Sequence, residues 1–98
     1  MYNFESTKHF KKELLKLLKS DKLSFVRYES FAEALVKNPF DIRLRTHKVT
    51  TKSYGKRYNS KLTSDLRVIW DFDRDKNLIL LLLDIGGHDG NRAVYKTR

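Results

Sequence analysis

Two histidines and a compact run of cations are the residues of this chain best suited to chemistry. His47 and His88 each carry an imidazole whose ordinary pKa of about 6.5 lets it take or give a proton near neutrality. Between positions 43 and 67 stand Arg43, Arg45, Lys48, Lys52, Lys56, Arg57, Lys61 and Arg67 against Asp65 alone, a net charge of +7. Residues 1–42 carry a net +2 and residues 68–98 a net of zero, so most of the total of +9 falls in one quarter of the chain. An excess packed this closely makes a one-sided positive field, which suits a polyanion better than general solvation does. Arginine adds geometry to charge, because its planar fork can grip two phosphate oxygens at once. Tyr95 can stack on a base or cover a sheet edge. His9 lies among helix lysines and reads as a solvated surface group.

Several chemistries are excluded. The chain has no cysteine, hence no disulfide, no thiolate zinc site and no thiol nucleophile. His9, His47 and His88 show neither ligand spacing nor an H-E-x-x-H pattern, so no metal and no cofactor is expected. No glycine-rich phosphate loop and no Ser/His/Asp order is present. The longest apolar run, Leu78 to Leu83, is far short of the roughly 20 residues needed to span a bilayer. The N-terminus lacks a basic stretch followed by an apolar run, so the cytoplasm is the expected compartment and no membrane contact is expected.

The elements that must hold these groups are legible in the spacing. A chain of 98 residues with 40% hydrophobic content suffices for one domain, expected to span residues 1–98. Tyr2-Asn3-Phe4 fits a short strand, and Ser6 or Thr7 is placed to cap a helix. Phe10, Leu14, Leu17 and Leu18 then fall on one helical face, with lysines on the other. Ser24 caps a second helix lined by Tyr28, Phe31, Ala32 and Leu35, and Asn38-Pro39 stops it. Strands follow: one carrying Leu44 and Val49, one over 54–62, and one over 66–72 in which Leu66, Val68, Trp70 and Phe72 alternate with Arg67, Ile69 and Asp71. Residues 73–77 form a polar hairpin loop, 78–83 an interior strand covered on both faces, and Ala93-Val94-Tyr95 a short last strand. The expected fold is α+β, an N-terminal helical hairpin packed on a small antiparallel sheet in the order β-α-α-β-β-β(-β).

The helical hairpin, the basic strand pair, Ser64-Asp65-Leu66-Arg67-Val68-Ile69-Trp70, the run Asp84-Ile85-Gly86-Gly87-His88-Asp89 and the closing Val94-Tyr95 together resemble the RelE/ParE toxin superfamily, in particular its RelE-like mRNA interferases. The resemblance covers the whole chain in element order and is motif-like over residues 61–95. Arg67 matches a family arginine placed just after a turn, Lys61 a basic residue six positions earlier, His88 a polar group after the strand-ending glycine, and Tyr95 a closing aromatic. Some relatives carry a histidine where Lys61 stands, and others a glutamate where this chain has Thr46-His47.

The resemblance implies the toxin of a type II toxin–antitoxin pair, with a cognate antitoxin carrying an acidic or amphipathic segment as partner. It implies a metal-independent endoribonuclease that cuts mRNA on the ribosome, the ribose 2′-hydroxyl attacking the adjacent phosphate. Such cleavage needs a base, an acid and cations that steady the developing charge. His88 is assigned as general acid or base, Arg67 as phosphate clamp and Lys61 as second cation, with His47 or Asp65 as the complementary proton-transfer group. Arg43, Arg45, Lys48, Lys52, Lys56 and Arg57 are expected to follow the RNA backbone. Two other readings share the features: a ParE-like DNA gyrase poison, and a non-catalytic RNA- or ribosome-binding module.

Overall fold

The computed structural model of the protein describes residues 2–75 and 78–87. His88, Tyr95 and the expected strand at 93–95 lie outside the described residues, as do positions 76 and 77 of the expected 73–77 loop.

Strand β1 (Asn3–Ser6) leads into helices α1 (Lys8–Lys19) and α2 (Phe25–Lys37), then a 3-10 turn (Ile42–Leu44) and strands β2 (His47–Thr51), β3 (Gly55–Lys61), β4 (Leu66–Phe72) and β5 (Ile79–Gly87). Each helix starts where a hydroxyl can replace a missing backbone partner. Thr7 Oγ1 accepts from Phe10 N–H at 3.1 Å and Ser24 Oγ from Arg27 N–H at 3.1 Å. Asn38 leaves the helical conformation ahead of Pro39, as a residue before proline should. The apolar faces match the spacing: Phe10 is fully buried with Leu14, Leu17 and Leu18 packed around it, and Tyr28, Phe31, Ala32 and Leu35 are buried along α2.

One expectation shifts by a few residues. Leu44, expected on a strand, is instead buried in the 3-10 turn, which Asp41 caps through Arg43 N–H at 2.9 Å. Arg45 closes that turn at φ 49°, and the strand begins only at His47.

The five strands form one sheet in the order β1-β5-β4-β3-β2. The expected antiparallel pairing holds among β2, β3, β4 and β5. At the other edge β1 runs parallel to β5, so the sheet is mixed. A parallel pair needs a long crossover, and the helical hairpin with three strands supplies it. The helices cover the face that carries Leu66, Val68, Trp70, Leu80, Leu82 and Ile85. Trp70 anchors this core: its indole stacks on Tyr58 at 4.9 Å, and Nε1–H donates to Ser60 Oγ at 2.8 Å.

A β-bulge sets up the opposite face. Ile69 pairs with Asp84 but Trp70 pairs with Leu82, leaving Leu83 as an extra residue on β5. Strict alternation from Leu80 and Leu82 would turn Asp84 into the apolar core. The bulge reverses the parity, so Ile85 faces the helices and Asp84 shares a face with Ile69.

Candidate functional site

The face away from the helical core gathers groups that are scattered in the sequence. Lys61, Arg67 and Gly86 stand in register across β3, β4 and β5. One row further, His47 faces Asn59, Asn59 faces Ile69, and Ile69 faces Asp84. Residues directly opposite each other on antiparallel strands project to the same side. Lys61, Arg67, His47, Asn59 and Asp84 therefore share this side, and β5 ends at Gly87, next in sequence to His88.

Arg67 pairs with neither Asp65 nor Asp71. Its Nη1 donates to the carbonyls of Thr63 at 2.7 Å and Leu66 at 3.2 Å, which ties the guanidinium to the turn before its own strand. Among the described residues no acceptor meets Nε or Nη2, whose two parallel donors form the edge that fits a phosphate. Lys61 is half-buried beside it, without an ion pair among the described residues.

His47 is exposed, and its Nδ1 lies 2.8 Å from the Arg45 carbonyl. A carbonyl can only accept, so Nδ1 carries the hydrogen and the neutral ring presents its Nε2 lone pair outward. Asp65 is exposed in the β3–β4 turn. It lines a cleft of about 740 Å³ that also takes in His9, Glu13, Asp84, Gly86 and Gly87. Among the sequence candidates, Asp65 is the described residue that lines this cleft; Lys61, Arg67 and His47 lie on the sheet beside it.

His9, expected to be a solvated surface group, is tied into this cleft: Nε2 is 3.1 Å from Asp84 Oδ1. β1 pairs with β5 only as far as Leu82, so the first turn of α1 lies beside the uncovered strand edge, and Thr7 bonds there to the carbonyls of Leu82 and Leu83. From the β2–β3 turn, Tyr54 Oη donates to Asp84 Oδ2 at 3.2 Å. Burial, reinforced by the Asp84 charge, pushes the Tyr54 hydroxyl up to about 12, so it stays a donor through the physiological range. Asp84, the charge that interrupts the apolar run of β5, was the sequence's clue to this cluster.

Asn59 also escaped sequence reasoning. It is 1% exposed, and neither its amide nitrogen nor its amide oxygen has a hydrogen-bond partner among the described residues.

The basic segment divides by partner. Arg43 is exposed and held by both oxygens of Asp41 at 3.1 Å, and these bonds keep the Asp41 carboxyl below the usual carboxylate range. Arg57, expected among the free cations, donates to Asp71 at 2.8 Å and to the Tyr54 carbonyl at 2.9 Å, which pins the β2–β3 turn to β4. Lys48 lies over the Tyr58 ring, 5.2 Å from its centroid. Arg45, Lys52 and Lys56 are exposed. Among the described residues no helix is long and apolar enough to cross a membrane.

No protein-family profile matches the sequence, and no curated protein matches it. Solved structures match in fold. A metal-bound toxin from Helicobacter pylori is 21% identical, with a TM-score of 0.69 over 90% of this chain and 96% of that one. The E. coli DinJ–YafQ toxin–antitoxin complex contains a chain 15% identical, with a TM-score of 0.66 over 89% of this chain and 92% of that one. The RelBE2 toxin–antitoxin complex from Mycobacterium tuberculosis contains one 17% identical, with a TM-score of 0.62 over 88% and 96%. At these identities the likeness is one of fold.

Proposed function

On the premise that this chain has the fold of the RelE-like toxins of type II toxin–antitoxin systems, we propose that it is itself such a toxin and cleaves mRNA on the ribosome in the cytoplasm. The observation that carries the reading is the row of Lys61, Arg67 and Gly86 across three strands, beside the strand end that leads to His88. Arg67, its Nη1 tied to the Thr63 carbonyl, grips the scissile phosphate through Nε and Nη2, and Lys61 adds a second cation as charge builds on the oxygens. The 2′-hydroxyl attacks this phosphate and the 5′-oxygen leaves. His88 protonates the leaving oxygen, and His47 or the cleft residue Asp65 takes the hydroxyl proton. Tyr95 stacks on a flanking base. Arg45, Lys52 and Lys56, exposed on the strands and turns of the basic segment, carry the RNA backbone toward the cleft.

The partner in the resting cell is an antitoxin with an acidic or amphipathic segment, as the net charge of +9 favours. Induced expression of wild type and His88→Ala, with mapping of mRNA ends and an assay of DNA supercoiling, tests the reading. Codon-phased cuts that vanish in the variant are expected. Intact mRNA with gyrase-dependent DNA breaks would replace the nuclease by a gyrase poison, and ribosome binding without cuts would leave a binding module.

A further inference from the structure

Two phenylalanines that the fold leaves in water face each other across a groove at the β1 edge of the sheet. Phe25, in the first turn of α2, is 60% exposed and Phe4, on β1, is 39% exposed. With Tyr28, Ala32 and Val36 they line an apolar groove of about 290 Å³ between the edge strand and the helix. Positions 25, 28, 32 and 36 recur at helical spacing, so the groove follows α2 for about 16 Å. At one end Tyr2 N–H donates to the Val36 carbonyl at 2.8 Å and joins β1 to the last turn of α2. Apolar surface gathered in this way marks a place where another molecule is bound. We propose that the groove seats an amphipathic helix of a partner protein, with apolar residues inward and lysines or arginines along its margin.

The shape favours a helix over a small molecule. The volume falls below the roughly 300–1,000 Å³ of pockets that enclose a ligand. The length matches about three turns of helix, enough to lay anchors at i, i+3 or i+4 and i+7 along the groove. The margin sets the partner's charge. Glu29 and Glu33 line the groove, are exposed and make no ion pair among the described residues. They stand at i and i+4, a spacing at which like charges repel along a helix. Arg27 and Lys37, the cations of α2, do not line the groove. On a chain of net charge +9, two acidic groups at this margin invert the local sign, and cations of a partner relieve their repulsion.

The inference goes beyond the ribonuclease reading and does not depend on it. Lys61 and Arg67 lie on the sheet face away from the helices, whereas α2 covers the other face and β1 stands at the edge opposite β2. A helix in the groove therefore leaves the Lys61–Arg67 row uncovered. The acidic segment expected of an antitoxin suits the basic face; Glu29 and Glu33 repel it from this groove.

The test uses the full chain and two dye-labelled peptides of about 15 residues, long enough to hold helix. Both carry leucines at i, i+3, i+4 and i+7; lysines flank the leucines in one and glutamates in the other. Fluorescence anisotropy is expected to show the lysine peptide binding wild type despite the shared sign of net charge, and more weakly as salt is raised. Phe25→Ala and the double variant Glu29→Lys/Glu33→Lys are each expected to weaken this binding about 10-fold or more. Both change exposed side chains, so their melting curves are expected to stay close to wild type. A lysine peptide that does not bind, or binds wild type and both variants equally, would overturn the inference. So would a glutamate peptide that binds better and loses affinity in Phe25→Ala, since the groove then takes an acidic partner. A wild-type dimer in sedimentation that Phe25→Ala converts to monomer would also overturn it, by assigning the groove to a second copy of this chain.

Discussion

Asn59 lies in β3 between His47 and Ile69, 1% exposed, with both amide atoms unpartnered among the described residues. A buried donor or acceptor left unsatisfied costs roughly 1–3 kcal/mol, because water's hydrogen bonds have been given up for nothing. Leucine has nearly the same branched shape and no polar atoms, so Asn59→Leu removes that cost and adds apolar contact beside Ile69, itself fully buried. Its methyl groups are slightly larger than the amide atoms, and the crowding takes back part of the gain. The net is an expected stabilisation of about 1–2 kcal/mol, equivalent to a rise in Tm of roughly 4–16 °C for a domain of this size. Urea and thermal denaturation at neutral pH measure it. Asn59→Asp is the matched control: it buries a charge with no partner and is expected to lose about 3–5 kcal/mol. A Tm for Asn59→Leu at or below wild type would refute the reasoning, since the amide would then be satisfied or the site too tight for two methyl groups.

Three further outcomes follow from particular contacts. Ser60→Ala strips the buried Trp70 Nε1–H of its acceptor and is expected to cost about 1–3 kcal/mol in urea denaturation. Tyr54 ionises at about 12 when folded against 10.0 for the free phenol, so its contribution to stability is complete below the lower value and is lost as pH rises through the higher one. Tyr54→Phe is expected to flatten that alkaline loss and to remove a late step from the ultraviolet titration of the tyrosines. Arg67→Lys keeps a donor for the Thr63 carbonyl but loses the two-donor edge, so cleavage is expected to fall about 10²–10³-fold while the melting curve stays close to wild type. A wild-type cleavage rate in that variant would remove Arg67 from the phosphate site.

Both helices could be read from the sequence because their determinants lie within a few residues of one another. Thr7 and Ser24 as caps, the Phe10–Leu18 and Tyr28–Leu35 faces and the Asn38-Pro39 stop are local instructions, and the structure follows each of them. Strand parity over 66–72 placed Arg67 opposite the core correctly for the same reason. The expected α+β architecture and its likeness to RelE-like toxins also rested on element order, which local patterning supplies.

What only the tertiary structure decided are the pairings between distant segments. Nothing near Asn3–Ser6 says that this strand will run parallel to β5. The single extra residue at Leu83, a matter of register against β4, turns Asp84 out of the core face. His9 looked like one more solvated group among lysines, and its partner stands 75 positions away in the sequence. Arg57 looked like a free cation until β4 brought Asp71 within 2.8 Å. Spacing along the chain reports which face a side chain will take. Which groups meet across that face depends on register and on the bulge, and these are set only when the strands assemble.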